Sequence, residues 1–70
     1  MSLVKVVEVL AESEKGWEDA AQNAVSEASE TIHNIQNVYL KDMQAIVEND
    51  RVVKYRVNAK ISFLVDEQER

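Results

Sequence analysis

The clearest pattern in the chain runs from Arg51 to Val65. Val53, Tyr55, Val57, Ala59, Ile61, Phe63 and Val65 are apolar, and the positions between them are mostly polar: Lys54, Arg56, Asn58, Lys60 and Ser62. Period two over such a length predicts one long strand with a single buried face. Ile35 to Glu48 also reads as a strand. It places Ile35, Tyr39, Met43, Ala45 and Val47 on one face with Asn37 and Lys41, and Gln36, Asp42, Gln44 and Glu48 on the other with Val38, Leu40 and Ile46. Between the two runs sits Asn49-Asp50, a pair that tolerates left-handed backbone angles and so predicts a hairpin turn. Near the N-terminus, Leu3 to Ala11 holds four Val and two Leu, and β-branched side chains favour a strand over a helix. Both of its faces carry apolar residues, so both call for cover.

From Trp17 the spacing changes to threes and fours. Trp17, Ala20, Ala21, Ala24, Val25, Ala28, Ile32 and Ile35 line one side of an amphipathic helix that fades at Asn34. Ser13 is the expected N-cap, with Glu14, Glu18 and Asp19 near the positive end of the helix dipole. The element order is β-α-β-β. A returning helix leaves the first two strands parallel, and the hairpin brings the third back between them. This predicts an α+β fold: a three-stranded antiparallel sheet in the order 1-3-2, with the helix packed on the odd-numbered face of the last strand. Lys54, Arg56 and Lys60 on its other face are placed to meet acids across the sheet.

Composition adds a constraint on size. Seventy residues form a single domain (1–70, with a core over 3–66 and a polar tail at 67–70), and a chain of that length buries only about 60% of its unfolded surface. Small domains compensate with disulfides, a metal or partner subunits. There is no Cys and one His, so disulfides and a structural zinc site drop out. The last strand spans on the order of 45 Å, longer than the helix can cover. A homo-oligomer is therefore expected. The net charge of −5 argues against a nucleic-acid partner, and no apolar run is long enough to span a bilayer. Met1 to Lys5 shows no charged segment followed by an apolar one, so the expected location is cytoplasmic.

Candidate chemistry is sparse. With one Gly and no Cys, a phosphate loop and a thiol nucleophile are excluded, and no constellation suggests a reaction, so an enzyme is not expected. His33 and the pair Glu18-Asp19 read as solvated surface groups. Trp17 reads as an anchor in the core or between subunits, and Tyr39 and Tyr55 as packed on buried strand faces. Asp42 reads either as an exposed carboxylate or as part of a cation site shared between subunits, since carboxylate oxygens suit a hard cation. Arg56 lies mid-strand, where a guanidinium needs a partner, either a structural carboxylate or an anionic ligand.

The element order, the stretch Ser13-Glu14-Lys15-Gly16-Trp17-Glu18-Asp19-Ala20-Ala21 and the run Val53-Lys54-Tyr55-Arg56-Val57 with Ile61-Ser62-Phe63 resemble the dodecin family over residues 3 to 66. The resemblance implies a hollow homododecamer that binds a small-molecule ligand, flavin (FMN or riboflavin) or a related cofactor, between subunits and stores it without catalysis. In that family the flavin ring stacks on a Trp early in the second strand and is hydrogen-bonded by a Gln of the third. Those cofactor positions fall here at Asn37 and Arg56, and neither residue matches. Asp42 matches an acid that lies near a bound cation in some members. The chain resembles the branch without the Trp, which includes a calcium-binding type. The alternative implied is a flavin-free dodecamer that holds calcium or magnesium at Asp42.

Overall fold

A computed structural model describes residues 2–66, and the expected polar tail at 67–70 lies outside the described residues. The order is β1 (Ser2–Ser13), α1 (Trp17–Ala28), β2 (Ile35–Glu48) and β3 (Arg51–Asp66). One sheet is ordered β1-β3-β2, with β1 and β2 each pairing antiparallel with the central β3, as the crossover requires. The helix covers one face of this sheet; the opposite face is called the outer face below. The Asn49-Asp50 hairpin forms as expected, with φ of 52° and 65° at its two central residues.

The buried core is small: Ala11, Ala20, Ala24, Val57, Ala59 and Ile61, with Val7, Ala28, Ile35, Val38 and Leu40 packed around it. Val57, Ala59 and Ile61 are the odd positions of β3, so the helix does lie on the odd face. Ala20 and Ala24 of the helix and Ala59 of the sheet belong to the same buried cluster, and side chains that small allow a helix to lie close to a sheet.

Three sequence expectations need correction. Ser13 is not the N-cap. It ends β1, and its hydroxyl accepts from the Lys15 N–H at 2.9 Å and donates to the Asp19 carboxylate at 2.6 Å. The helix starts four residues later, after Gly16, with no side-chain cap. Asp19 is thus not a merely solvated charge but a tie between the helix start and β1. The helix also ends early, at Ala28. The Ser29 hydroxyl bonds back to the Ser26 carbonyl, and Asn34 takes a left-handed φ of 64° that the helix cannot continue through. Ile32 therefore lies in the connection after the helix, and Ile35 packs on the core from β2. The third correction concerns β2, whose faces do not follow simple alternation. Register shifts between Ile35 and Asn37 and between Lys41 and Gln44 reverse the parity, so Val38 and Leu40 point to the core while Tyr39 is 60% exposed. A β-bulge inserts one residue and turns everything beyond it to the other face.

The molecule is far from a compact globule. Its extents are 57 × 19 × 13 Å and its radius of gyration is 14.6 Å, against about 11 Å for a compact domain of this length. A helix of 12 residues is about 18 Å long, whereas the 16 residues of β3 span roughly 53 Å. The surface is 5128 Å², about 700 Å² above the value expected for a monomer of this mass. Val4, Val6 and Leu10 of β1 face away from the helix and stay exposed, Leu10 at 68%. The closeness of helix and sheet is the testable feature. Ala20→Leu should lower stability by about 1–3 kcal/mol in urea denaturation, because Ala20 is fully buried and the added methylenes overpack the core. Ala21→Leu, at a half-buried position, should cost less.

Candidate functional site

The outer face carries the polar chemistry of the sheet. Two acids on β1, Glu8 and Glu12, point to it. Glu12 Oε2 accepts from Arg56 Nε at 2.7 Å, and its other oxygen lies 3.5 Å from Lys54 Nζ. Glu8 Oε2 accepts from the Asn58 side-chain amide at 2.7 Å and faces Lys41 Nζ of β2 at 3.9 Å. Lys54 and Arg56 therefore meet an acid across the sheet, as expected. Lys60 does not form an ion pair among the described residues. It stands opposite Glu8 in register, but Glu8 is taken by Asn58 and Lys41.

Beside this network lies a recess of about 540 Å³ lined by Leu10, Asp42, Met43, Gln44, Arg56 and Asn58. The β2 bulge builds one wall. Asp42 there has a φ of 54°, a left-handed conformation that costs most L-residues on the order of 1 kcal/mol and that Asp tolerates best among the charged ones. Arg56 and Asn58 form the other wall from β3. Arg56 and Asp42 share the recess without an ion pair between them, and the Arg56 Nε bonds Glu12. Asn58 donates through Nδ2 to Glu8, and its Oδ1 is buried with no partner. The recess is thus lined by a carboxylate with no ion pair among the described residues and by two amide side chains, Gln44 and Asn58, and carboxylate and amide oxygens suit a hard cation or a hydrogen-bond donor.

The structure brings together Asp42 and Arg56 but not Asn37. Asn37 pairs with Ser62, six residues along β3 from Arg56, so the two positions are about 20 Å apart in one chain. A single site that uses both needs residues from two copies. Asn37 has no π face, but Tyr39 lies two residues along on the same outer face with its ring exposed. Among the described residues no three His, Cys, Asp or Glu side chains converge on a metal position. Sequence reading missed Gln44 and Asn58. The signal for Gln44 was the parity reversal after Lys41-Asp42; for Asn58 it was an amide facing Leu10 inside an otherwise charged stripe. Sequence reading also took Tyr39 for a packed residue. Tyr55 is half-buried, and its ring meets Trp17 edge-on at a centroid distance of 5.0 Å. His33 is exposed, as expected.

The hydrogen bond from Arg56 holds the Glu12 carboxyl below its ordinary value of 4.5, helped by the charge of Lys54 and opposed by partial desolvation. A depressed carboxyl stabilises the fold fully above its unfolded value and loses that contribution as pH falls through the folded one. The stability difference between the native chain and Glu12→Gln should therefore be constant from neutral pH down to about 4.5 and shrink below it. Urea denaturation across that range measures it.

No helix among the described residues is long and apolar enough to cross a membrane. Comparison with known proteins agrees with the geometry. The family model "Dodecin" matches residues 3–66. A curated relative, calcium dodecin of Mycobacterium tuberculosis, is 29% identical over 63 residues, covering 90% of this chain and 89% of its own. The crystal structure of a single-substitution variant of T. thermophilus dodecin superposes with a TM-score of 0.88 at 27% identity, over 96% of this chain and all of that one. Dodecin from Streptomyces coelicolor gives 0.88 at 27% identity, over 96% of each chain. With the β-α-β-β order, the 1-3-2 sheet and a match over nearly the whole length, the chain belongs to the dodecin family.

Proposed function

We propose that this chain is one subunit of a non-enzymatic homo-oligomeric shell, twelve copies in the manner of its family, that binds a small polar ligand at the Asp42 recess. The best-supported ligand is a hard cation such as calcium or magnesium. One observation carries this reading: the recess beside the β2 bulge is lined by Asp42, which forms no ion pair among the described residues, together with the amide side chains of Gln44 and Asn58. Oxygen donors of this kind suit Ca²⁺ and Mg²⁺. One carboxylate per chain is too few for an all-protein site, so water or a neighbouring copy supplies the remaining ligands. The relative named calcium dodecin supports the same reading.

A second reading, storage of FMN or riboflavin between subunits, is favoured by Tyr39. Its exposed ring stands beside Asn37 on the outer face, and a stacked aromatic contact is worth about 0.5–1.5 kcal/mol beyond its buried area. In that reading Asn37 and Arg56 of different copies flank the ring. Against it stands Asn37 itself, which offers no stacking surface. Neither reading needs a reaction, and a soluble location such as the cytoplasm fits both.

Thermal melts with and without added ions test the first reading. A ligand held at a hundredfold above its Kd stabilises by about 2.7 kcal/mol, which raises the melting temperature by several degrees. Ca²⁺ or Mg²⁺ should do so for the native chain and not for Asp42→Asn. A melt unmoved by either ion sinks the cation reading. For the second reading, Asn37→Trp should strengthen quenching of FMN fluorescence by about tenfold, the upper end of one stacking contact. No change on that substitution contradicts a flavin position at residue 37.

A further inference from the structure

We infer that Trp17 is a positioning residue for the Asp42 recess and holds the β2 bulge from the helix side of the sheet. This rests on the reading of that recess as the ligand site. Trp17 opens α1, and its indole N–H donates to the Gln44 carbonyl at 3.1 Å, 27 residues along the chain. Gln44 is the first residue to regain register after the bulge at Asp42 and Met43. β2 is an edge strand, so its outward carbonyls have no strand to pair with. A segment that is bulged, left-handed at Asp42 and on an edge has little else to fix it. The indole supplies one directed bond where the backbone leaves the ladder.

The indole is itself held. Its ring meets Tyr55 edge-on, and Tyr55 stands opposite both Ser13 of β1 and Ala45 of β2. Ser13 in turn bonds Asp19, in the first turn of the helix that carries Trp17. The helix start, β1, β3 and the bulge thus close into one ring of contacts with Trp17 as its link to β2. The side chains of Asp42, Met43 and Gln44 line the recess, and the backbone that aims them is tied from behind. Trp17 as a whole is 37% exposed, so burial alone does not account for its place.

The test compares Trp17→Phe with Tyr55→Phe in the full-length protein in its native assembly. Phe keeps an aromatic ring against Tyr55 and removes the N–H donor. Trp17→Phe should weaken Ca²⁺ or Mg²⁺ binding, measured by titration calorimetry, about fivefold, the worth of one neutral hydrogen bond. It should also speed amide hydrogen exchange at residues 42–44 while Val57, Ala59 and Ile61 keep their protection. Tyr55→Phe, which keeps both the edge-on contact and the N–H donor, should match the native protein in both measurements. Native affinity with native exchange at 42–44 in Trp17→Phe overturns the inference, and so does an acceleration spread evenly over the sheet, which would make Trp17 a general anchor. If the native protein binds neither ion, the cation reading falls on its own, and exchange at 42–44 alone decides the role of Trp17.

Discussion

A helix about 18 Å long lies on a sheet whose central strand runs roughly 53 Å, and most features of this molecule follow from that mismatch. The helix can bury only the middle of β3, where Val57, Ala59 and Ile61 are fully enclosed. Toward both ends, and over the whole outer face, apolar side chains such as Val4, Val6, Leu10, Met43, Val47 and Val52 remain exposed. The excess surface of about 700 Å² is close to the roughly 800 Å² that each partner contributes to a standard interface. A solitary chain would keep this area in water. Copies of the chain that covered one another would remove it from water.

The charged groups of the outer face fit the same picture. Glu8 and Glu12 on β1 are matched by Asn58, Lys41, Arg56 and Lys54 across the other two strands. Exposed pairs of this kind add little to the stability of one chain. On a face that also exposes Val4, Val6 and Leu10, they set opposite charges beside one another, which would lower the cost of covering that face. Asp42, like Lys60, forms no ion pair among the described residues, and it shares the recess with Arg56.

Much of the fold was legible in the chain. The Arg51–Val65 alternation located β3 and its buried face, Asn49-Asp50 located the hairpin, and the β-α-β-β order set the 1-3-2 sheet. The helix limits were misread for a physical reason. Ser13, Ile32 and Ile35 carry helix-compatible signals, but tertiary contacts assign them elsewhere: Ser13 is held in β1 through Asp19, and Asn34 turns left-handed before Ile35 can continue a helix. In β2, polar and apolar residues keep alternating while the parity changes, and a reading that assumes one parity puts Tyr39 inside and Val38 outside. The change from Val38 and Leu40 to Ala45 on the helix side spans Lys41-Asp42, where an Asp tolerates the angle that a bulge needs. At the site, Asp42 and Arg56 were visible as isolated charges. The unpartnered oxygen of Asn58 and the indole bond to Gln44 depend on register, which no single residue encodes.

The claim on which all of this rests is that one copy cannot complete its own interior. Sedimentation velocity at low micromolar and nanomolar concentrations, on samples whose unfolding is followed in parallel, tests it most directly. The account predicts a closed assembly many times the 8.0 kDa chain mass, with cooperative unfolding lost wherever the assembly dissociates. A particle of single-chain mass that still unfolds cooperatively would contradict it.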